Sequence, residues 1–504
     1  MSSPFKFPFL RITSAFMLAC VVLFGAAQAA EIPIGMEEAI QLALAKNFAI
    51  RIKAYGVPIA KAGVTEALGR FDVKLQGSYN NGREEDPLLK NLATGLRSPA
   101  EITDTDVTSL TLDGTLPTGA TFSIGASTTK VNGTDTSFSD EYTNFAGVTL
   151  TQPLLKDAGL NPTFYQIRIA KTNKAVSEWE YKNAVIETVT NVIDTYSELH
   201  FAKARLRSAQ RSYDLAVQLQ SENERRFAVG ERSEYDIISA KARVASRQDS
   251  IFAAERYVRV AENALKQLIS DKRSPEILQS QLMVAPLDLE TRPSIDAAKD
   301  FRSALEQRPD YCMALLAIKR GELDKRYYRN QRLPRVDVVG RYGYNGLASS
   351  YSDSRQDIRN QDYAAYAAGV VVSVPLGLVA ERGRYRAAKL KLEQAQLSLQ
   401  KLEQDIVVDV GNAAIQVESS LKRMEATRAS REYNEQTLQA EIKRLRAGTG
   451  STFSVLYQQE QLNSAEISEA LAQADYRKAL AEYDRQLGRT LTVHHIVLEG
   501  APKH

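Results

Sequence analysis

Beyond its first 29 residues the chain has one cysteine, Cys312, so it cannot form an internal disulfide. Histidine is almost as scarce. His200, His494, His495 and His504 are the full set, and apart from the adjacent pair none stands at metal-ligand spacing, so neither a metal nor a cofactor is expected. An excess of one charge is lacking too. Setting aside residues 1–29 removes Lys6 and Arg11 and leaves 62 of the 64 basic residues against 61 acidic ones, which gives no reason to expect nucleic acid as a partner. G-x-S-x-G and H-E-x-x-H do not occur. Gly448-Thr449-Gly450-Ser451 lacks both the lysine and the preceding strand of a phosphate loop, so an enzyme is not expected. Long apolar runs are missing as well. The most apolar stretch of the mature chain, 366–380, is rich in β-branched residues, holds Pro375 and is too short to span a bilayer as a helix. Any entry into a membrane must therefore be made by strands.

What is present starts with Lys6 and Arg11 ahead of an apolar segment from Ala15 to Ala26 and the small-x-small site Ala27-Gln28-Ala29. This reads as a signal peptide over 1–29. A membrane anchor is the other reading, but the apolar run is short. Cys20 also raises lipidation, although apolar residues continue beyond it. An exported chain without disulfides suits a Gram-negative envelope.

The remaining sequence is written twice. Gly147-Val148-Thr149-Leu150-Thr151-Gln152-Pro153-Leu154 aligns with Gly369-Val370-Val371-Val372-Ser373-Val374-Pro375-Leu376, and Phe227-Ala228-Val229-Gly230 with Leu445-Arg446-Ala447-Gly448. Arg168 lies 62 residues before Gly230, and Arg386 lies 62 before Gly448. A loose linker has no need of equal lengths; two parallel rods do. Between the markers Val185, Val189, Val192, Tyr196, Leu199 and Ala202 recur at steps of three and four, as do Ala395, Leu399, Leu402, Ile406, Ala413 and Val417 with positions skipped. That is a coiled-coil seam, and a helix of this length is about 93 Å long.

The pattern predicts a first repeat over 30–270, with a helix at 36–69, strands within 72–155, a long helix at 163–229 and a helix at 233–270. A linker over 271–296 leads to a second repeat over 297–488, with a helix at 297–333, strands within 335–376, a long helix at 380–447 and a helix at 451–488. A tail covers 489–504. Gly230 and Gly448 would end the rods in left-handed caps, with Ser233 and Ser451 starting the helices that return; the alternative is a kinked continuous helix. The segment 110–128 reads as an extra hairpin turning at Pro117-Thr118-Gly119, giving four strands per chain or six if it joins the others. Polar stretches 82–105, 131–142 and 347–362 read as loops. Tyr79, Tyr142, Tyr342, Tyr344, Tyr351, Tyr363 and Tyr366 collect near the strand ends, as rings at a membrane boundary do.

These features together resemble the outer-membrane efflux protein (TolC-like) family over nearly the whole mature chain: IGMEEAIQLALAKN and ALEQRPD at helix openings, VTLTQPLLKDAG at the strand-to-helix turn, LPRVDVVGRYGYNG at the third strand and RRFAVGERSEYDIISAKARVA at the hairpin tip. The resemblance implies a mainly α fold with membrane β: duplicated strand–long helix–turn–helix units building a trimeric outer-membrane β-barrel continuous with a periplasmic coiled-coil barrel. It implies an outer-membrane exit duct of a tripartite efflux or type I secretion system. Its partners would be two further copies, a periplasmic adaptor (membrane fusion) protein, an inner-membrane transporter and outer-membrane lipid. The alternative is a periplasmic coiled-coil adaptor or structural interaction protein. Adaptor docking would fall on Phe227, Gly230, Glu231, Ser233, Leu445, Gly448, Gly450 and Ser451, and a gate on Asp236, Arg446, Ser454 and Tyr457. Asp236 takes the family's acidic place after the first tip. At the second tip Leu445, Gly450, Ser454 and Tyr457 stand where the family latch has a tyrosine, an arginine and two aspartates, so that latch does not carry over. Arg446 and Lys443 are the candidate partners of Asp236.

Overall fold

A computed structural model describes residues 33–87, 100–134, 139–231, 233–273, 275, 281–290 and 292–498; the expected signal peptide and Cys20 lie outside them. The first half runs β1 (Pro33–Ile34), α1 (Met36–Lys46), α2 (Phe48–Ala54), α3 (Gly56–Leu68), β2 (Lys74–Asp86), β3 (Glu101–Thr115), β4 (Thr121–Gly133), β5 (Glu141–Pro153), α4 (Leu160–Thr163), α5 (Tyr165–Ala228) and α6 (Glu234–Ile269). After β6 (Met283–Val284), the second half runs α7 (Ala297–Gln307), α8 (Pro309–Gln331), β7 (Arg335–Ala348), α9 (Tyr351–Asn360), β8 (Tyr363–Ser373), α10 (Val379–Arg446), α11 (Thr452–Gln486) and α12 (Thr490–Val493).

The helices form four columns. α3 and α6 both pack on α5, while α8 and α11 each pack between α5 and α10. The short helices therefore stack in pairs beside the rods, in the order α3/α6, α5, α8/α11, α10. The seam read from the sequence is the packed one: Val185, Val189, Val192, Tyr196, Leu199 and Ala202 share a core with α1 and α6, and Ile406, Val410, Ala413 and Val417 share one with α7 and α11. Burying each aliphatic side chain contributes about 1.5–3 kcal/mol, so these seams rather than the exposed ion pairs hold the columns together. At the middle of the rods the buried Tyr196 hydroxyl reaches the carbonyls of Ile34 (2.8 Å) and Ala285 (3.1 Å), tying α5 to the small parallel sheet β1–β6.

Several expected elements are corrected. The helix expected over 36–69 is broken at Asn47, whose Oδ1 accepts from the Ala49 amide (2.8 Å) and starts α2, while its Nδ2 donates to the Leu268 carbonyl of α6 (3.0 Å). It bends again at Tyr55, just before Pro58, whose ring nitrogen has no proton to give the preceding turn. The helix expected over 297–333 is interrupted at Arg308, which is extended because Pro309 follows. The loop expected between β7 and β8 contains α9, started by the Ser350 hydroxyl accepting from the Asp353 amide (3.3 Å) and ended by Gln361 at φ +65°. β2, β3 and β4 also extend into the polar stretches taken for loops, to Asp86, from Glu101 and to Gly133.

Burial on α5 pushes the Asp194 carboxyl up to about 6, against a smaller opposing pull from Lys478. The folded chain then holds a proton there that the unfolded chain has released, so this group lowers stability as pH rises from about 4 through 6 and is level above. Asp194→Asn is expected to raise stability at pH 7.5 by about 1 kcal/mol, after allowing for solvent screening, and to leave it unchanged at pH 4. Thermal melts at the two pH values check this; equal gains at both would show that the charge is not the cause.

Candidate functional site

The tips are built by local chain chemistry. Gly230 (φ +80°) and Gly448 (φ +77°) are both left-handed. At the first tip the Gly230 amide donates to Phe227 O (2.9 Å) and the Glu231 amide to Arg226 O (2.9 Å). At the second, the Gly448 amide donates to Leu445 O (3.1 Å) and the Thr449 amide to Arg444 O (3.0 Å). This is the Schellman pattern at both ends, and it satisfies carbonyls the rods would otherwise leave open. A side chain at Gly230 or Gly448 would meet open space, so the backbone angle alone demands glycine there. Gly450 is different: a Cβ would come within 2.8 Å of the Leu445 nitrogen.

The returning helices start as expected. Asp236 closes a capping box, its carboxylate accepting from the Ser233 amide (3.0 Å) and hydroxyl (2.9 Å). Ser451 accepts from the Ser454 amide (3.1 Å), and the two hydroxyls meet at 2.8 Å. Two candidate gate residues, Asp236 and Ser454, thus serve helix starts. Arg446 is exposed in the last turn of α10, and Tyr457 is exposed on α11. Leu445 is half-buried against Leu438, Val455 and Leu462. Around these lie exposed apolar side chains that were not singled out from the sequence: Val229, Tyr235, Ile238 and Phe453, alongside Phe227. Their signal was available, since apolar residues within a turn of a helix tip have no core to enter.

At the other end, β2-β3-β4-β5-β7-β8 form one antiparallel sheet in that order. The hairpin at 110–128 is in it, so the described residues supply six strands to this sheet. Register gives the sheet two unlike faces. One cross-strand row reads Leu75, Leu112, Ile124, Val148, Tyr342, Tyr366, all apolar or aromatic and all exposed. The adjacent row on the opposite face reads Lys74, Asp113, Ser123, Thr149, Arg341, Ala367. On that polar face Ser78 and Ser109 share a hydrogen bond (2.8 Å), and the Arg341 guanidinium lies 3.7 Å from the Phe145 ring centroid. From Val336 to Tyr344 the apolar face of β7 rises about 20 Å at a tilt of about 40°, close to the height of a lipid-facing band. An apolar outside and a polar inside are what a water-filled barrel wall requires.

Both layers end in unpartnered edges. β2 and β8 are the outer strands, so each has one side of its backbone unpaired among the described residues. α10 carries two apolar stripes. Ala388, Leu392, Ile406, Val410 and Val417 are buried against the neighbouring columns. Leu390, Leu397, Val408 and Ile415 fall within about 20° of one another at 100° per residue, on the opposite side, and are exposed, Leu397 and Ile415 by 67 %. The far column answers with Phe48, Ile52, Tyr55 and Ile59, exposed at steps of four, three and four.

Comparison with known proteins agrees with this architecture. A family model described as outer membrane efflux protein matches residues 116–270 and 301–489. The chain belongs to the outer membrane efflux protein family. Its place is the outer membrane and its role is that of an efflux exit duct. Among solved structures, the CmeC outer membrane channel of Campylobacter jejuni is 16 % identical, with 96 % of this chain and 94 % of that one covered at a TM-score of 0.67. VceC of Vibrio cholerae is 16 % identical, with 90 % and 96 % covered at 0.64. The open state of the MtrE channel of Neisseria gonorrhoeae is 17 % identical, with 90 % and 89 % covered at 0.64. No curated protein matches the sequence.

Proposed function

We propose that the protein is a homotrimeric duct, passively conducting substrates that an inner-membrane transporter delivers through a periplasmic adaptor in a tripartite efflux or type I secretion system. The observation that carries this reading is the coincidence of edges. β2 continues from the α3/α6 column and β8 leads into α10, so one rotation that joins β8 to a neighbour's β2 also joins α10 to that neighbour's α3/α6 column. The strands alternate in direction around the sheet, and β8 would meet the next β2 antiparallel. An unpaired backbone group in hydrocarbon costs several kcal/mol, so a few of them along β2 and β8 exceed the whole stability of about 5–15 kcal/mol that a folded chain has. Lipid therefore selects the closed assembly over the single chain. The number three comes from the family resemblance.

The helical columns would line a periplasmic tunnel whose tips dock the adaptor. Phe227, Gly230, Glu231, Ser233, Leu445, Gly448, Gly450 and Ser451 shape those tips, and Asp236, Arg446, Ser454 and Tyr457 lie where a gate would act. The periplasmic adaptor reading leaves the apolar sheet face without a function. Mass measurement of the detergent-solubilised protein is expected to give three copies, with the material recovered from outer-membrane fractions. A stable monomer would sink the duct.

A further inference from the structure

We infer that the assembled barrel has 18 strands, six from each of three copies, and is as wide as the helical tunnel beneath it. This rests on the trimeric duct proposed above and adds how wide its exit is. The hairpin β3–β4 decides the matter, because without it β2 would pair directly with β5 and each chain would supply four strands. Instead β2 is bonded to β3 from Lys74↔Asp113 to Asp86↔Glu101, and β4 to β5 from Thr121↔Thr151 to Val131↔Glu141.

Three observations put the hairpin in the wall rather than in the lumen or above the membrane. It carries the same two faces as the other strands, with Leu110, Leu112, Phe122 and Ile124 on the apolar side and Thr111, Asp113 and Ser123 on the polar side. Its turn sits at the helical end and is bonded there: the Gly159 amide, in the turn from β5 to α5, donates to Thr118 O (2.8 Å). The fit at that contact is close. Gly119 is left-handed (φ +89°), a Cβ on it would lie 2.4 Å from Asp157 O, and Ala120 beside it is buried.

At the usual barrel tilt the dimensions agree with six strands. At about 4.8 Å between strands and a tilt of about 40°, six strands cover about 38 Å of circumference and four cover about 25 Å. The four helical columns at 8–10 Å spacing cover about 32–40 Å. Six strands thus span the same arc as the helices they continue into, and the wall needs no taper at the junction. A ring of eighteen strands is about 36 Å across between backbones, against about 24 Å for twelve. The barrel then sets no size limit of its own, and the bulk of the cargo is limited at the tips.

Electron cryo-microscopy of the full chain in lipid nanodiscs is expected to show eighteen strands. Disulfide mapping in outer membranes, in a Cys312→Ser background, gives the second readout: Ser78→Cys with Ser109→Cys should cross-link β2 to β3 in the assembled protein, and Ser127→Cys with Phe145→Cys should link β4 to β5. A trimer with twelve strands, or one in which these pairs stay reduced while cysteines on β2 and β5 join, would overturn the wide barrel and leave the duct standing. A particle without threefold assembly would overturn both.

Discussion

Leu397→Asp combined with Ile415→Asp is expected to leave the protein as folded monomers that do not accumulate in the outer membrane. Both side chains lie on the stripe of α10 that has no partner among the described residues, opposite the stripe that packs on the neighbouring columns. The monomer should therefore tolerate the change. In the closed tunnel each aspartate would enter an apolar seam against the neighbour's α3/α6 column without a counter-charge, at several kcal/mol per buried carboxylate. Symmetry places the pair at all three seams, so the loss is tripled in one particle. Gln400→Asp with Gln416→Asp is the matched control. It adds the same charge to the same helix about 80° to either side of the stripe, at two exposed positions. Solution mass and far-ultraviolet circular dichroism read the two effects separately. Intact trimers from the stripe variant would mean that α10 is not an edge, and the arrangement of columns into a ring would fail with it.

The two stripes of α10 also show what was legible in the sequence. The seam through Ile406, Ala413 and Val417 stood out because a 3.6-residue period is a local property of the chain. The second stripe carries the same period but sits among Lys401, Asp405 and Lys422, and only the folded chain shows which apolar positions remain uncovered. The tips were legible for a stronger reason. A left-handed glycine followed three residues later by a capping serine is complete within one turn, so nothing distant can change its meaning. Asn47 is the opposite case. It reads as one polar residue in a helical run, and it breaks that run because the Leu268 carbonyl, 221 residues away, accepts from its side chain. The hairpin at 110–128 was readable as a hairpin, but its place between β2 and β5 depends on pairing across long separations, which alternation along one strand does not encode. The capping role of Asp236 was open to reading from Ser233 three residues earlier, whereas a charge partner for it on the other hairpin required knowing how the tips face.

Gly230→Pro and Gly448→Pro should each cut export at least tenfold while trimers form at normal yield. Proline cannot adopt φ near +80°, and it also removes the amide that donates to Phe227 O or Leu445 O, so both elements of the cap are lost together. The cost, about 3 kcal/mol, falls on the last turn, away from the main seams over 185–202 and 406–417. What changes is the direction in which α6 or α11 leaves the tip, and with it the placement of Phe227, Val229, Tyr235 and Phe453, the exposed apolar side chains an adaptor would cover. Asparagine separates geometry from chemistry. It tolerates the left-handed region and keeps its amide, and a Cβ at either glycine meets nothing within 4 Å, so Gly230→Asn and Gly448→Asn should retain most export. Cross-linking of the adaptor to the tips, run beside the export assay, should follow the same order: wild type, then asparagine, then proline. If proline variants export normally the tips are not the docking site. If asparagine fails as badly as proline, the adaptor needs glycine for close approach rather than for its backbone angle.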